Sequence, residues 1–228
     1  MRPLRLINQG LQPYLRVWEA MQAFTEARDA SSLDELWLVE HPPVYTLGRN
    51  GDPAHLLDTG DIPVVRSDRG GQVTYHGPGQ LVAYCLFDLK RLNLGVRGLV
   101  SGLENAVIAT LACYGIRAEA RRDAPGVYVT NRKIASLGLR IRQGCSYHGL
   151  SLNVDMDLAP FSHIHPCGFQ NLQVTRLIDL SVPLTVADVA VPLIGAIMQE
   201  FGFDRLLAQQ PECRPSAQNH LQPEQETP

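Results

Sequence analysis

Cys167 stands in the run Pro166-Cys167-Gly168. Proline before it and glycine after it put the thiol on a sharp turn with little side-chain cover. A thiolate is a strong nucleophile, so a cysteine placed this way is a candidate for covalent catalysis. Cys85 and Cys113 sit in apolar runs instead, the setting of a buried structural cysteine. His163 and His165 precede Cys167 at alternate positions, and His, His and thiolate are good zinc ligands. Pro166 spoils the strand geometry that would align the three, and no fourth ligand is spaced nearby. The metal site is therefore the minor reading.

Only two of the twenty basic residues are lysines, Lys90 and Lys133. Arginine does not give up its proton near neutral pH, so a retained lysine is a place to look for a titratable amine. Lys133 opens a strand-like run after the turn at Asn131-Arg132. A solvated turn lysine is the bland alternative. His76 is a candidate general base, or a residue that holds its tight turn by hydrogen bonds.

His76 belongs to the stretch around which the chain is organised, Arg69-Gly70-Gly71-Gln72-Val73-Thr74-Tyr75-His76-Gly77-Pro78-Gly79-Gln80. Glycine is chosen where backbone turns with positive φ or approaches something closely. Val73, Thr74 and Tyr75 are strand formers. The expected structure is a glycine turn, a short strand, a glycine-proline turn and a second strand over 81–87. A plain hairpin is the simplest form of this. The polar groups of Arg69, Thr74, Tyr75, His76 and Gln80 crowd the same turns and favour a ligand wall.

This stretch resembles the signature of the lipoyl(octanoyl) transferases, and His41-Pro42-Pro43-Val44-Tyr45-Thr46-Leu47-Gly48 is also typical of that family. Lipoate ligases and biotin protein ligases carry a related glycine-rich strand. The likeness runs over about residues 4–203. It implies an α+β fold, a single domain with a mixed, largely antiparallel β-sheet flanked by helices. It implies transfer of an octanoyl or lipoyl group from acyl carrier protein to a lysine of a lipoyl domain, with no cofactor. The acceptors would be lipoyl domains of 2-oxoacid dehydrogenases and the glycine cleavage H protein. By resemblance Cys167 carries the acyl group, and Lys133, within Lys133-Ile134-Ala135-Ser136-Leu137-Gly138, promotes its thiolate and shuttles protons. The acyl pocket falls to Arg69, Gly70, Gly71, Gln72, Val73, Thr74, Tyr75 and His76, to Ser136, Leu137 and Gly138, and to Gly149, Leu150 and Ser151. Small residues at Ala135, Ser136, Gly138, Gly149 and Ser151 would leave room for a linear chain. The competing readings are an ATP-dependent ligase of the same fold and the His163/His165/Cys167 metal module.

Periodicity supplies the elements that position these residues. Strands are expected at 4–7, 35–40, 44–47, 62–65, 127–129, 133–141 and 147–154. Helices are expected at 14–28, at 98–114 with Leu99, Leu103, Ala106, Val107, Thr110, Leu111 and Tyr114 on one stripe, and at 186–201, kinked or begun near Pro192. In 133–141, strict alternation puts Lys133 on one face with Ala135, Leu137, Leu139 and Ile141. Residues 158–173 read as loop. A catalytic domain over 1–206 is followed by a polar tail, 207–228, with nothing to bury.

Composition agrees with one soluble, cytoplasmic domain. The 228 residues are 45% hydrophobic and 19% charged, with net charge −3. Neither nucleic acid nor an anionic membrane is advertised as a partner. The first ten residues hold no signal-length apolar run, and 181–198 is interrupted by Pro183, Asp188 and Pro192. Five cysteines without CxxC spacing argue against a disulfide framework.

Overall fold

The computed structural model describes residues 1–168, 172–180 and 183–209. In chain order its strands begin with β1 (Pro3–Leu11), β2 (Asp34–Glu40), β3 (Val44–Leu47), β4 (Val64–Arg66), β5 (Val73–His76) and β6 (Gln80–Leu86). They continue with β7 (Glu119–Ala120), β8 (Val127–Val129), β9 (Arg132–Arg142), β10 (Cys145–Asn153) and β11 (Arg205–Gln209). The helices are α1 (Tyr14–Ala27), α2 (Val96–Ala112) and α3 (Val186–Phe201).

Eight strands form one sheet in the order β11-β1-β2-β6-β10-β9-β8-β7, and β4-β3-β5 form a second. In the large sheet β1 runs parallel to β11 and β2. The pairings from β2 through β7 are antiparallel. The sheet is thus mixed and largely antiparallel.

β6 explains the layering. Every residue of Gln80–Leu86 is buried, and a strand buried throughout needs cover on both faces. Leu81, Ala83 and Cys85 point to the face covered by α2 and α3, where they meet Leu103, Val107, Leu193 and Ile197. Val82, Tyr84 and Leu86 point the other way, to Val17 and Met21 of α1. The small sheet lies on the α1 side, tied there by Tyr14 Oη to Ser67 Oγ at 2.7 Å and by Trp18 Nε1 donating to Asp68 at 2.8 Å. It has its own apolar cluster of Tyr45, Leu47, Val73, Tyr75, Met156 and Phe161.

The glycine stretch does not fold as a hairpin. β5 pairs with β3 in the small sheet, whereas β6 pairs with β2 and β10 in the large one. The turn Gly77-Pro78-Gly79 carries the chain from one sheet to the other. Gly79 has φ +81°, and a Cβ there would stand 2.1 Å from the Asp155 carbonyl oxygen. Only glycine permits that crossing.

Other expectations shift for local reasons. The turn before β9 centres on Thr130 and Asn131, with φ of 47° and 64°, the two left-handed positions of a tight hairpin turn. β9 breaks strict alternation near its start. Adjacent Ile134 and Ala135 are both in the main core, and the β8–β9 register shifts between Val127 and Tyr128. This bulge separates Lys133 from the alternation of Ala135, Leu137 and Leu139. α3 begins at a capping box, Thr185 with Asp188, so Pro192 lies inside the helix. Cys113 is exposed. The stripe through Ala106, Val107, Thr110 and Leu111 turns it outward despite its apolar neighbours. Leu207, Ala208 and Gln209, assigned above to the tail, belong to β11 beside β1. The rest of the tail, with Cys213, lies outside the described residues. No helix among the described residues is long and apolar enough to cross a membrane.

Candidate active site

The Pro166-Cys167-Gly168 turn is sharp in the way its sequence suggests. Cys167 has φ +57° and Gly168 φ +81°, two left-handed residues in succession. A residue with a Cβ is uncommon in that region, and the strain is of the kind found at functional turns. Cys167 is half-buried. Lys133 Nζ lies 3.0 Å from its Sγ and donates to the Pro125 carbonyl at 2.9 Å. The ammonium also sits 5.3 Å from the centre of the Tyr128 ring.

Lys133 is 2% exposed, while Lys90 is in solvent. The fold holds Lys133 from both sides. It pairs with Tyr128 of β8, and its backbone also bonds the segment at 173–175, N–H to Gln173 O at 2.8 Å and C=O from Thr175 N–H at 2.9 Å. Glu104 of α2 accepts from Gly126 N–H at 2.9 Å and so anchors the turn beside the lysine. Burial raises the Glu104 carboxyl, while the Gly126 hydrogen bond and the Lys133 charge oppose it. No carboxylate among the described residues pairs with Lys133 within 4.0 Å.

From Cys167 a cleft runs between the large sheet and the glycine stretch. Twelve of the fourteen residues expected to bind substrate line it: Arg69, Gly71, Gln72, Val73, Thr74 and His76 on one wall, Ser136–Gly138 and Gly149–Ser151 on the other. Gly70 and Tyr75 do not. Gly70 turns outward and donates to the Leu139 carbonyl at 2.9 Å, and Tyr75 packs against Tyr45 and Phe161 in the small-sheet core. Ala135 also misses the cleft, being committed to the main core. Gly149 is small for another reason. A Cβ there would stand 2.0 Å from the Ala83 carbonyl oxygen of β6.

The polar residues of the wall hold each other. Arg69 donates to Thr46 Oγ1 at 3.0 Å, to the Gln72 carbonyl at 2.8 Å and to the Gly70 carbonyl at 2.8 Å. Burial pulls its guanidinium below the usual range, with the Tyr14 and Cys167 charges opposing. His76 Nδ1 is 2.7 Å from Gln80 Oε1. Burial, with His41 and Arg69 nearby, pulls His76 down to about 3. Its low basicity and its Gln80 partner favour bracing the turn over proton transfer. His163 bonds the Asp58 carbonyl through Nδ1, so it does not converge with His165 on Cys167. Among the described residues no three His, Cys, Asp or Glu side chains could hold a metal ion.

Sequence reasoning missed Asp68 and His148. Tyr147, His148, Trp18 and Gln22 all reach the Asp68 carboxylate. Burial alone would raise Asp68, but the His148 and Tyr147 hydrogen bonds hold it well below the usual carboxylate range. His55 was missed too; its Nε2 stands beside Gly168. Nothing in local spacing links these residues, since they meet only across elements.

Comparison with known proteins agrees with this architecture. The bi-partite lipoate protein ligase from Thermoplasma acidophilum, solved in a study of that ligase and its E2 lipoyl domain, superposes with a TM-score of 0.75 at 17% identity. That match covers 92% of this chain and 89% of that one. Biotin protein ligase from Aquifex aeolicus, in complex with biotin and ATP, gives 0.56 at 12% identity, covering 89% and 71%. The fold is that of the lipoate and biotin ligases. The model of the lipoyl protein ligase A/B catalytic domain matches residues 13–198. A protein of Methylococcus capsulatus named octanoyltransferase is 60% identical over 199 residues, 87% of this chain and 96% of that protein. One of Shewanella loihica with the same name is 56% identical over 203 residues, 89% and 93%. The chain belongs to the lipoyl protein ligase A/B catalytic domain family.

Proposed function

We propose that this protein is an octanoyltransferase that works through a thioester on Cys167. Relatives of that name at 54–60% identity support the reaction class. The observation that carries the covalent step is the 3.0 Å approach of Lys133 Nζ to Cys167 Sγ at a cleft whose lining mixes small residues with polar and apolar side chains.

The reaction begins from thiolate and ammonium. Cys167 Sγ attacks the thioester carbonyl of octanoyl-[acyl carrier protein]. The tetrahedral intermediate collapses, and the phosphopantetheine thiol leaves with the proton of Lys133. The neutral amine of the acceptor lysine of a lipoyl domain then attacks the Cys167 thioester, and neutral Lys133 takes the one proton this nitrogen loses as the amide forms and the thiolate leaves. An amide is more stable than a thioester, so no ATP is consumed. Acceptors are lipoyl domains of 2-oxoacid dehydrogenases and the glycine cleavage H protein. The archaeal lipoate protein ligase of the same fold is described together with its E2 lipoyl domain, which supports a lipoyl domain as acceptor.

Intact mass spectrometry after mixing with octanoyl-[acyl carrier protein] tests the reading. The expected product is one octanoyl adduct on Cys167, discharged by a lipoyl domain without ATP and unaffected by a chelator. An adduct on another residue, or strict dependence on ATP, overturns it in favour of the ligase reading.

A further inference from the structure

Glu104 is a carboxylate where the packing of α2 does not ask for one. It lies beside the stripe of Leu103, Ala106, Val107 and Leu111 and is 8% exposed. Burying a carboxylate is costly unless it is paired and hydrogen-bonded. It accepts from Gly126 N–H at 2.9 Å. Among the described residues no cation stands within 4.0 Å of it. A glutamine would take the same N–H without the charge, so anchoring the loop does not explain a carboxylate here.

Gly126 links this carboxylate to the lysine. It has φ +142°, and a Cβ on it would stand 2.8 Å from Lys133 Cε and 3.1 Å from Nζ. The glycine backbone therefore packs on the end of the lysine while its N–H holds Glu104. N and Cβ of one residue are about 2.4 Å apart, which places Glu104 Oε1 within roughly 8 Å of Nζ. The other groups around Nζ are Cys167, the Pro125 carbonyl and the Tyr128 ring. The Tyr128 hydroxyl donates to the Ala124 carbonyl at 2.7 Å. Arg121 lies 5.1 Å from the centre of that ring and pairs with Asp123 at 3.0 Å. Glu104 thus faces the lysine from α2 with its charge unpaired. The attraction is felt at the carboxyl too, where Lys133 opposes the effect of burial.

We infer that Glu104 is a positioning residue for the Cys167–Lys133 pair: its charge, set against the lysine across Gly126, keeps Lys133 an ammonium while Cys167 is a thiolate. A carboxylate at this range favours the charged form of a lysine. It does so without a direct ion pair that would draw Nζ off the sulfur. The inference rests on the function proposed above, in which Lys133 gives its proton to the leaving thiol.

The test is the pH profile of single-turnover acylation by octanoyl-[acyl carrier protein], read by intact mass for the parent and Glu104→Gln. Glutamine keeps an acceptor for Gly126 N–H and removes the charge. The alkaline limb, where the ammonium is lost, should move to lower pH by about one unit. An unmoved limb overturns the inference. A loss of rate that is equal at every pH also overturns it, because Glu104 is then only a structural anchor. If Glu104→Gln does not fold, the reciprocal effect is read in the ¹³C resonance of the Glu104 carboxyl. Its titration midpoint should rise by about one unit from the parent to Lys133→Ala, and equal midpoints overturn the inference. A parent that forms no octanoyl adduct on Cys167 at any pH refutes the underlying function instead, and the carboxyl titration still decides the coupling.

Discussion

Lys133 Nζ approaches Cys167 Sγ to 3.0 Å and donates to the Pro125 carbonyl at 2.9 Å. Among the described residues no carboxylate stands within 4.0 Å of the lysine. Residues 34 positions apart in sequence meet at the start of β9, where Lys133 also bridges Val174.

Two substitutions separate the charge of Lys133 from its proton. Lys133→Arg keeps a cation but cannot release a proton near neutral pH. Acyl-enzyme should form and accumulate, and transfer to the acceptor should fall by about 10²–10⁴-fold. Lys133→Ala should slow acylation as well. Cys167→Ser should form no thioester. Intact mass spectra over time distinguish the three, and equal turnover of both lysine variants would reduce Lys133 to a structural role.

Two glycines of the cleft should respond differently to a methyl group. At Gly149 the Cβ meets the Ala83 carbonyl oxygen at 2.0 Å, between central strands that cannot separate. Gly149→Ala is expected to cost about 3 kcal/mol or more of stability. Gly149, expected from the sequence to leave room for a linear chain, is thus also required by the Ala83 backbone. At Gly138 the nearest contact is the Arg69 side chain at 3.0 Å, with the Gly70 carbonyl oxygen at 3.2 Å. Gly138→Ala should fold with a smaller loss and load octanoate more slowly. Thermal melts and adduct formation measured on both variants check the contrast.

Acid should destabilise the protein through its buried histidines. Burial pulls His76 to about 3 and His41 to about 4, both from an ordinary 6.5. Above pH 6.5 neither state binds these protons, and the contribution is complete. As pH falls below 6.5 the unfolded chain takes them up first, so stability is lost progressively down to about pH 3–4. His76→Gln should reduce the slope of unfolding free energy against pH by up to about 1.4 kcal/mol per unit. Urea midpoints from pH 7 to 4.5 measure it, and an identical slope in parent and variant would rule out the neutral buried state of His76.

Thiol labelling should follow the tertiary placement of each cysteine. Cys113 is exposed and Cys167 half-buried, whereas Cys85 and Cys145 are buried. Burial also pushes the Cys85 and Cys145 thiols upward. Iodoacetamide should modify Cys113 and Cys167 in the folded protein and reach Cys85 and Cys145 only on unfolding. Prior incubation with the octanoyl donor should protect Cys167 and leave Cys113 reactive. Peptide mapping reads both results, and protection of Cys113 instead would misplace the acyl group.

The sequence by itself determined most elements, whereas the pairing of Cys167 with Lys133 came only from the family resemblance. The apolar stripe of α2, the unbroken apolar run of β6 and the turn glycines are local signals, because helix period, strand burial and positive φ are properties of neighbouring residues. The Pro166-Cys167-Gly168 turn was legible for the same reason. Tertiary structure decided that β5 and β6 join different sheets, since pairing partners are chosen by burial on both faces and not by the turn between them. It also decided that Gly149 is reserved for the Ala83 backbone, that Cys113 faces solvent, and that Tyr147 and His148 both turn to Asp68. These outcomes depend on what stands opposite a residue across the sheet or cleft, and a linear spacing carries no record of that.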